Sequence, residues 1–383
     1  MQHDIEQGPI RPPSEATSLL IRATRNCPWN KCAFCHTYRN TKFEMRPVDE
    51  IKQDIQKAKN IADQVRELSW KHGEGGRISK NIVNHIYGHD EAYSDSVRSI
   101  TAWLYYGGES VFIQDANSII MKTDALVEIL SFIKDRFPSV NRITSYCRSK
   151  TAARKTVEEF KVLKSAGLSR IHIGMESGYD PLLQFVKKGV TASEHIEGGR
   201  NIKEAGISLC EYVMPGLGGD RWSIEHAEET ARVINEINPD FVRLRTFHAV
   251  PGTDLFDMVE SGEFNPIDDE EILREIKRFV ECLHGIDTTI VSDHILNLLE
   301  DLQGKLPEDQ EHLLAIIDGY FSLPDDERLV YRIGRRLGTY RGLADLSDEG
   351  MYKKVRSIID QYSKQDRDQL DNDLLKIMNR YIQ

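Results

Sequence analysis

Ser18-Leu-Leu-Ile-Arg-Ala-Thr-Arg25 reads as a β-strand, and Cys27-Pro-Trp-Asn-Lys-Cys32-Ala-Phe-Cys35 follows it directly. The cysteine spacing is C-x4-C-x2-C. Three clustered thiols with no fourth cysteine nearby describe an incomplete metal site. A four-iron cluster is normally closed by four cysteines, so three leave one iron open to a reactant. A structural site is closed, whereas a vacant position is the layout of catalysis. Zinc is the rival reading, with His36 completing a Cys3His set, but His36 adjoins Cys35 and closing a tetrahedron with both strains the loop.

Outward from this run, strand-like segments recur at Ser110–Asp115, Arg142–Tyr146, Arg170–Glu176, Ile207–Met214, Phe241–Arg245 and Thr288–Val291. Helical patterns lie between them. Thr123 to Asp135 carries apolar residues at Leu126, Ile129, Leu130 and Ile133, with Thr123 as its expected N-cap. Residues 156–166, 192–205 and 223–237 repeat the pattern, and Gly167 and Gly206 stand where helix-terminating glycines belong. Such alternation predicts βαβ units and a parallel sheet: an α/β fold, a full or partial TIM-type (β/α) barrel whose chemistry sits at the carboxyl ends of the strands. We expect an N-terminal arm over 1–16, a barrel over 17–295 with an insertion at about 60–105, and a helical region over 296–383.

The chain has 383 residues and a net charge of −11, which gives no general electrostatic case for nucleic-acid or anionic-membrane binding. No apolar run approaches the roughly 20 residues that span a bilayer. The polar, proline-rich start lacks an apolar signal core, and a cytoplasmic location is expected. Three of the six cysteines are clustered and three (Cys147, Cys210, Cys282) are scattered, which favours metal over a disulfide framework.

The strand, the cysteine run with Phe34 before its last cysteine, and the repeated βα units together resemble the radical S-adenosylmethionine (SAM) superfamily. Its commonest spacing is C-x3-C-x2-C, and this chain has one more residue in the first gap. Val111–Ser118, Arg142–Tyr146, His172–Gly178, Tyr212–Gly219 and Arg243–Thr253 resemble strand ends of the branch containing oxygen-independent coproporphyrinogen oxidase and methylthiotransferases. The resemblance implies a [4Fe–4S] cluster, SAM chelated to the open iron, and reductive cleavage to a 5′-deoxyadenosyl radical. It also implies a reductant such as flavodoxin or ferredoxin.

By that resemblance Cys27, Cys32 and Cys35 are cluster ligands, and Phe34 packs over the cluster and presents its backbone to adenine. Asp115 and Asn117 stand where the family receives the SAM amino group. Gly107-Gly108-Glu109 precedes the strand and is a lookalike turn. Glu176 is expected to bond the ribose hydroxyls or the methionyl amino group, Lys188 the SAM carboxylate, and Ser145 the methionyl end. Met214 and Pro215 flank adenine. Asp115 and Asn117 also suit simple turn caps, and Lys188 a surface lysine.

His294 and Asn297 are candidates for substrate contact, with a capped helix start as the rival. Tyr106, Tyr146 and His248 are candidates for the cavity lining. Cys147 and Cys210 read as buried small residues, Cys282 as core, and Arg332, Arg335 and Arg336 as a solvated helix face. The function expected is a single-cluster radical SAM enzyme acting on a small or medium organic molecule. The alternatives are a non-enzymatic iron–sulfur or zinc protein on the same fold, and, more weakly, a tRNA-modifying enzyme.

Overall fold

The computed structural model describes residues 4–89, 92–362, 373–374 and 376–378; the ends of the predicted arm and of the C-terminal helical region lie outside the described residues. Ten strands occur in chain order: β1 (Leu19–Arg22), β2 (Thr24–Arg25), β3 (Glu44–Met45), β4 (Ser110–Gln114), β5 (Arg142–Cys147), β6 (Leu168–Glu176), β7 (Ser208–Val213), β8 (Phe241–Leu244), β9 (Thr289–Val291) and β10 (Gly304–Lys305). The helices are α1 (Val48–Lys71), α2 (Lys80–Tyr87), α3 (Asp95–Tyr105), α4 (Thr123–Arg136), α5 (Ser149–Arg154), α6 (Val157–Ser165), α7 (Asp180–Phe185), α8 (Ala192–Glu204), α9 (Gly219–Ile237), α10 (Asp254–Glu260), α11 (Asp269–Glu281), α12 (Gln310–Phe321), α13 (Asp325–Arg336) and α14 (Glu349–Ile359). Apart from the β2–β3 ribbon, the strands form one eight-stranded sheet in the sequential order β1-β4-β5-β6-β7-β8-β9-β10. The fold is mostly parallel α/β. Among the described residues no helix is long and apolar enough to cross a membrane.

The chain divides into two compact units. The first comprises 1–31, 37–174 and 197–209. Its strands β1, β4 and β5 pair in parallel, with Leu19 opposite Val111 and Val111 opposite Ile143. The runs read as strands because they are almost continuously apolar and buried, as strands covered on both faces are. Helix α6 begins at a capping box in which Thr156 accepts from the Glu159 amide and Glu159 accepts from the Thr156 amide. Gly167 ends the turn after it at φ 116°, a left-handed conformation that suits glycine. The first helix runs unbroken through residue 60 to Lys71, and α2 and α3 follow it. Thr123 is the first residue of α4 rather than its cap, and its hydroxyl donates to Glu159 instead. The arm is pinned to β4: the Gly8 amide donates to Gln114 Oε1 at 2.8 Å, and Gln114 Nε2 donates to the Ile10 carbonyl at 2.7 Å.

The second unit comprises 32–36, 175–196 and 210–383. Here β7, β8 and β9 pair in parallel, and β10 adds antiparallel to β9. An apolar cluster of Ala33, Leu182, Val186, Leu217, Phe247, Leu255 and Phe264 joins the cysteine loop, α7 and α10, and Phe34 and Met214 pack against it. Each fully buried Leu or Phe side chain there contributes about 1.5–3 kcal/mol.

Candidate functional site

The cysteine loop is held by its backbone. In the second unit the Cys35 amide donates to the Cys32 carbonyl, the Ala33 amide to Val186 at 2.9 Å, and the Leu255 amide to the Ala33 carbonyl at 2.9 Å. None of the six cysteines forms a disulfide; Cys27, Cys32 and Cys35 are half-buried, whereas Cys147 and Cys210 are buried, as read from the sequence. Three reachable thiols on one short loop are a donor set that fits a cluster with one open iron. Among the described residues no three His, Cys, Asp or Glu side chains are gathered as ligands of one ion, so neither the three-thiol set nor the Cys3His set is preformed.

Four of the SAM-directed residues lie together in the second unit. Glu176 ends β6 at φ 65°, and Lys188 Nζ donates to its Oε1 at 2.8 Å. That ammonium also stands over the Phe34 ring, 5.6 Å from its centroid. The Met214 amide donates to the Glu176 carbonyl at 3.0 Å, which ties the ends of β6 and β7.

Asp115, Asn117 and Ser145 lie in the first unit, and there the expectation changes. Asp115 is sealed from solvent. Its Oδ2 accepts from Arg22 at 2.7 Å and from the Asn26 amide at 3.2 Å, and its Oδ1 accepts from the Tyr38 hydroxyl. Burial and the Asp115 charge push the Tyr38 phenol well up, so it stays a donor. Asn117 Oδ1 accepts from the Arg148 amide and its Nδ2 donates to Thr151. The Ser145 hydroxyl donates to the Ile113 carbonyl at 3.1 Å. Asp115 and Asn117 are therefore internal ties of the kind turn residues make, and Ser145 cross-links two strands. Gly107-Gly108-Glu109 forms the turn between α3 and β4, with Gly107 and Gly108 at positive φ.

Residues 88–234 match the family described as the Radical SAM superfamily. The chain carries a radical SAM domain. Such domains belong to enzymes and use a [4Fe–4S] cluster with SAM, and they need a reductant. The chain is similar to a tRNA uridine(34) acetyltransferase of Methanocaldococcus jannaschii, 27% identical over 122 residues, which are 31% of this chain and 22% of the relative. It is similar to the biotin synthase of the same organism, 22% identical over 292 residues, 75% of this chain and 74% of the relative. It is also similar to a tRNA-2-methylthio-N(6)-dimethylallyladenosine synthase of Hahella chejuensis, 27% identical over 246 residues, 63% of this chain and 46% of the relative. The chain thus spans under a quarter of the acetyltransferase's length.

Sequence reasoning missed the residues behind the radical SAM strand ends. His226 of α9 is buried, with Nδ1 2.9 Å from Ser177 Oγ and Nε2 3.0 Å from the Met214 carbonyl. Thr230, one turn on, accepts from the Gly178 amide at 2.9 Å. Glu275 of α11 accepts from the Gly216 amide and from Ser223, each at 2.7 Å. Burial raises the Glu275 carboxyl, and His226, Gly216 and Ser223 oppose that rise. The turns that carry Glu176 and Met214 are thus fixed from behind. A second missed group is Glu211, a charged residue inside the apolar strand β7, and that contrast was its only sequence signal.

Other readings are corrected. Tyr106, the residue that caps the end of α3, is 65% exposed and faces solvent. Asn297 is consumed internally: Oδ1 accepts from the Thr246 amide and hydroxyl, and Nδ2 donates to Leu244 and Ser292. His294 keeps its candidacy; burial and then Arg245, Arg335 and Arg336 bring it down to about 3, so it is neutral. Arg335 and Arg336 are buried rather than solvated, donating to the carbonyls of Asn297 and Leu296.

Proposed function

We propose that this chain is a single-cluster radical SAM enzyme that cleaves SAM reductively and acts on a small or medium organic molecule. The observation that carries this reading is the assembly, in one unit, of Phe34, Glu176, Lys188 and Met214 with Cys32 and Cys35. In this reading Cys27, Cys32 and Cys35 hold the cluster, which supplies the electron that splits the sulfonium. Lys188 receives the SAM carboxylate and Glu176 the ribose hydroxyls or amino group; their mutual bond holds both charges until SAM arrives. Phe34 and Met214 present apolar surface and backbone to adenine.

The test is anaerobic reconstitution followed by incubation with SAM and dithionite. We expect about four iron and four sulfide per chain, formation of 5′-deoxyadenosine, and loss of both in Cys32→Ala. Colourless, zinc-loaded protein from anaerobic purification, or cleavage that survives Cys32→Ala, overturns the proposal.

A second reading, tRNA modification, is supported by the names of two relatives, which act on tRNA uridine(34) and on a tRNA adenosine. The net charge of −11 supports the small-molecule reading. Retention of bulk tRNA on filters at physiological salt decides for RNA, and its absence for the small molecule.

A further inference from the structure

Glu211 lies in the middle of β7 and has no exposed surface. Among the described residues neither of its carboxylate oxygens has a hydrogen-bond partner. Buried polar groups in native proteins are paired almost without exception, so an orphan of this kind asks for an explanation. Packing does not supply one. Leu209, Val213 and the register partner Val242 are apolar and fully buried, and a valine or leucine would suit position 211 at no electrostatic penalty.

Among the described residues the charged groups that act on Glu211 are Glu176 and Lys188. Those two already neutralise each other across 2.8 Å. Glu211 is therefore the carboxyl of this cluster that has no counter-ion of its own among the described residues. Burial raises its carboxyl well above the usual range; Glu176 adds to the rise and Lys188 opposes it.

We propose that Glu211 is a recognition group for a cationic nitrogen, an ammonium or amidinium, on the molecule the enzyme acts on. Both oxygens lack partners, so the ligand must bring at least two N–H donors; a hydroxyl offers one, and an anion would be repelled. An arriving positive charge favours the ionised carboxylate, and burial makes the charge-assisted bond that then forms strong. Glu211 stands on β7 three residues before Met214, whose amide is bonded to the Glu176 carbonyl at 3.0 Å, which puts this contact on the strand that leads to the groups assigned to SAM. The inference rests on the function proposed above and adds the substrate class: a basic amine or amidine.

The experiment uses the reconstituted full-length holoenzyme with SAM and dithionite. Metabolites of a cell extract are split at pH 7 on a cation exchanger, and 5′-deoxyadenosine formation is measured with each fraction. The retained, cationic fraction is expected to stimulate the wild-type enzyme, and acetylating its amines to abolish the stimulation. Glu211→Gln is expected to lose at least about tenfold of the stimulation, the scale of a lost charge-assisted bond. Circular dichroism and iron content show that the variant is folded and loaded. The proposal is overturned if only the flow-through stimulates, if no fraction does, or if Glu211→Gln responds like wild type. It also falls if Glu211→Gln weakens SAM binding as much as it weakens stimulation, which would move Glu211 into the SAM site. Failure of the wild-type enzyme to make any 5′-deoxyadenosine is a separate result, and it removes the underlying function instead.

Discussion

Lys188 Nζ donates to Glu176 Oε1 at 2.8 Å, and the two side chains keep only 12% and 11% of their surface exposed. A pair so withdrawn resists loss of one member, because the survivor is left charged without compensation. Lys188→Ala is expected to raise the dissociation constant for SAM at least about tenfold, a change of about 1.4 kcal/mol. Equilibrium dialysis with the reconstituted protein measures it. The double variant Lys188→Met/Glu176→Gln should lose less than the sum of the singles, by about 0.5–3 kcal/mol. Additive losses would show that the pair does not act as a unit.

Asp115 ties β1 and the segment before Cys27 to the end of β4 through Arg22, Asn26 and Tyr38. Asp115→Ala leaves the buried Tyr38 phenol without its acceptor and the Arg22 guanidinium with Glu6 as its remaining carboxylate, and should lower stability by about 1–3 kcal/mol. The Asn26 amide adjoins the first cysteine, so iron per chain after reconstitution should fall as well. Urea denaturation of the iron-free protein and an iron assay give the two readings. Unchanged stability would mean that the carboxylate is not the tie described.

These ties mark the boundary of what the sequence discloses. The parallel strands were legible because Val111-Phe112-Ile113 and Ile171-His172-Ile173 are compact buried runs, and glycines close the helices before β6 and β7. The cysteine spacing carried the expectation of metal chemistry. The partners of Asp115 lie 93, 89 and 77 residues away in the chain, and Ser177 lies 49 from His226. No periodicity reports such pairs. Strand β10 has two residues, too few for any pattern. Arg335 and Arg336 look like a solvated basic spot until the loop carbonyls that bury them are in place.

Glu15 illustrates the same limit and gives a pH signature. It is sealed from solvent against Arg142, Ser18 (2.7 Å) and His172 (3.3 Å). Burial alone would raise its carboxyl; the His172 bond and the Arg142 charge outweigh burial and hold it below its ordinary value of 4.5. A depressed folded value means that the carboxylate stabilises the fold above the unfolded value, and that this stability is lost as pH falls through the folded one. Glu15→Gln should cost about 1–3 kcal/mol at pH 7 and flatten the acid limb of the stability profile below pH 4.5. A variant with the wild-type acid limb refutes this.

His226 and Glu275 fix the turns after β6 and β7 without reaching solvent. His226→Ala removes the links to Ser177 and Met214 together, and should destabilise by about 2–4 kcal/mol, as loss of a buried network does. If its role is positioning, SAM affinity should fall too, and His226→Gln, which keeps both a donor and an acceptor, should recover part of that affinity. Isothermal titration with SAM decides. Full SAM affinity in a destabilised His226→Ala would restrict the residue to the core.

Glu211 makes the opposite pH prediction from Glu15. Its folded value is raised well above 4.5, so the folded chain binds a proton that the unfolded chain releases. Stability from this group is greatest below the unfolded value and is lost as pH rises from there toward the folded value, by up to about 1.4 kcal/mol per pH unit. Glu211→Gln keeps the shape and removes the titration. Without ligand it should match the wild type near pH 4.5 and exceed it by about 1–3 kcal/mol at pH 8. Urea midpoints at both pH values, with equal cluster loading, measure the difference. A variant less stable than wild type at pH 8 would mean that the carboxylate has a stabilising partner within the fold, and that its oxygens are not waiting for a ligand.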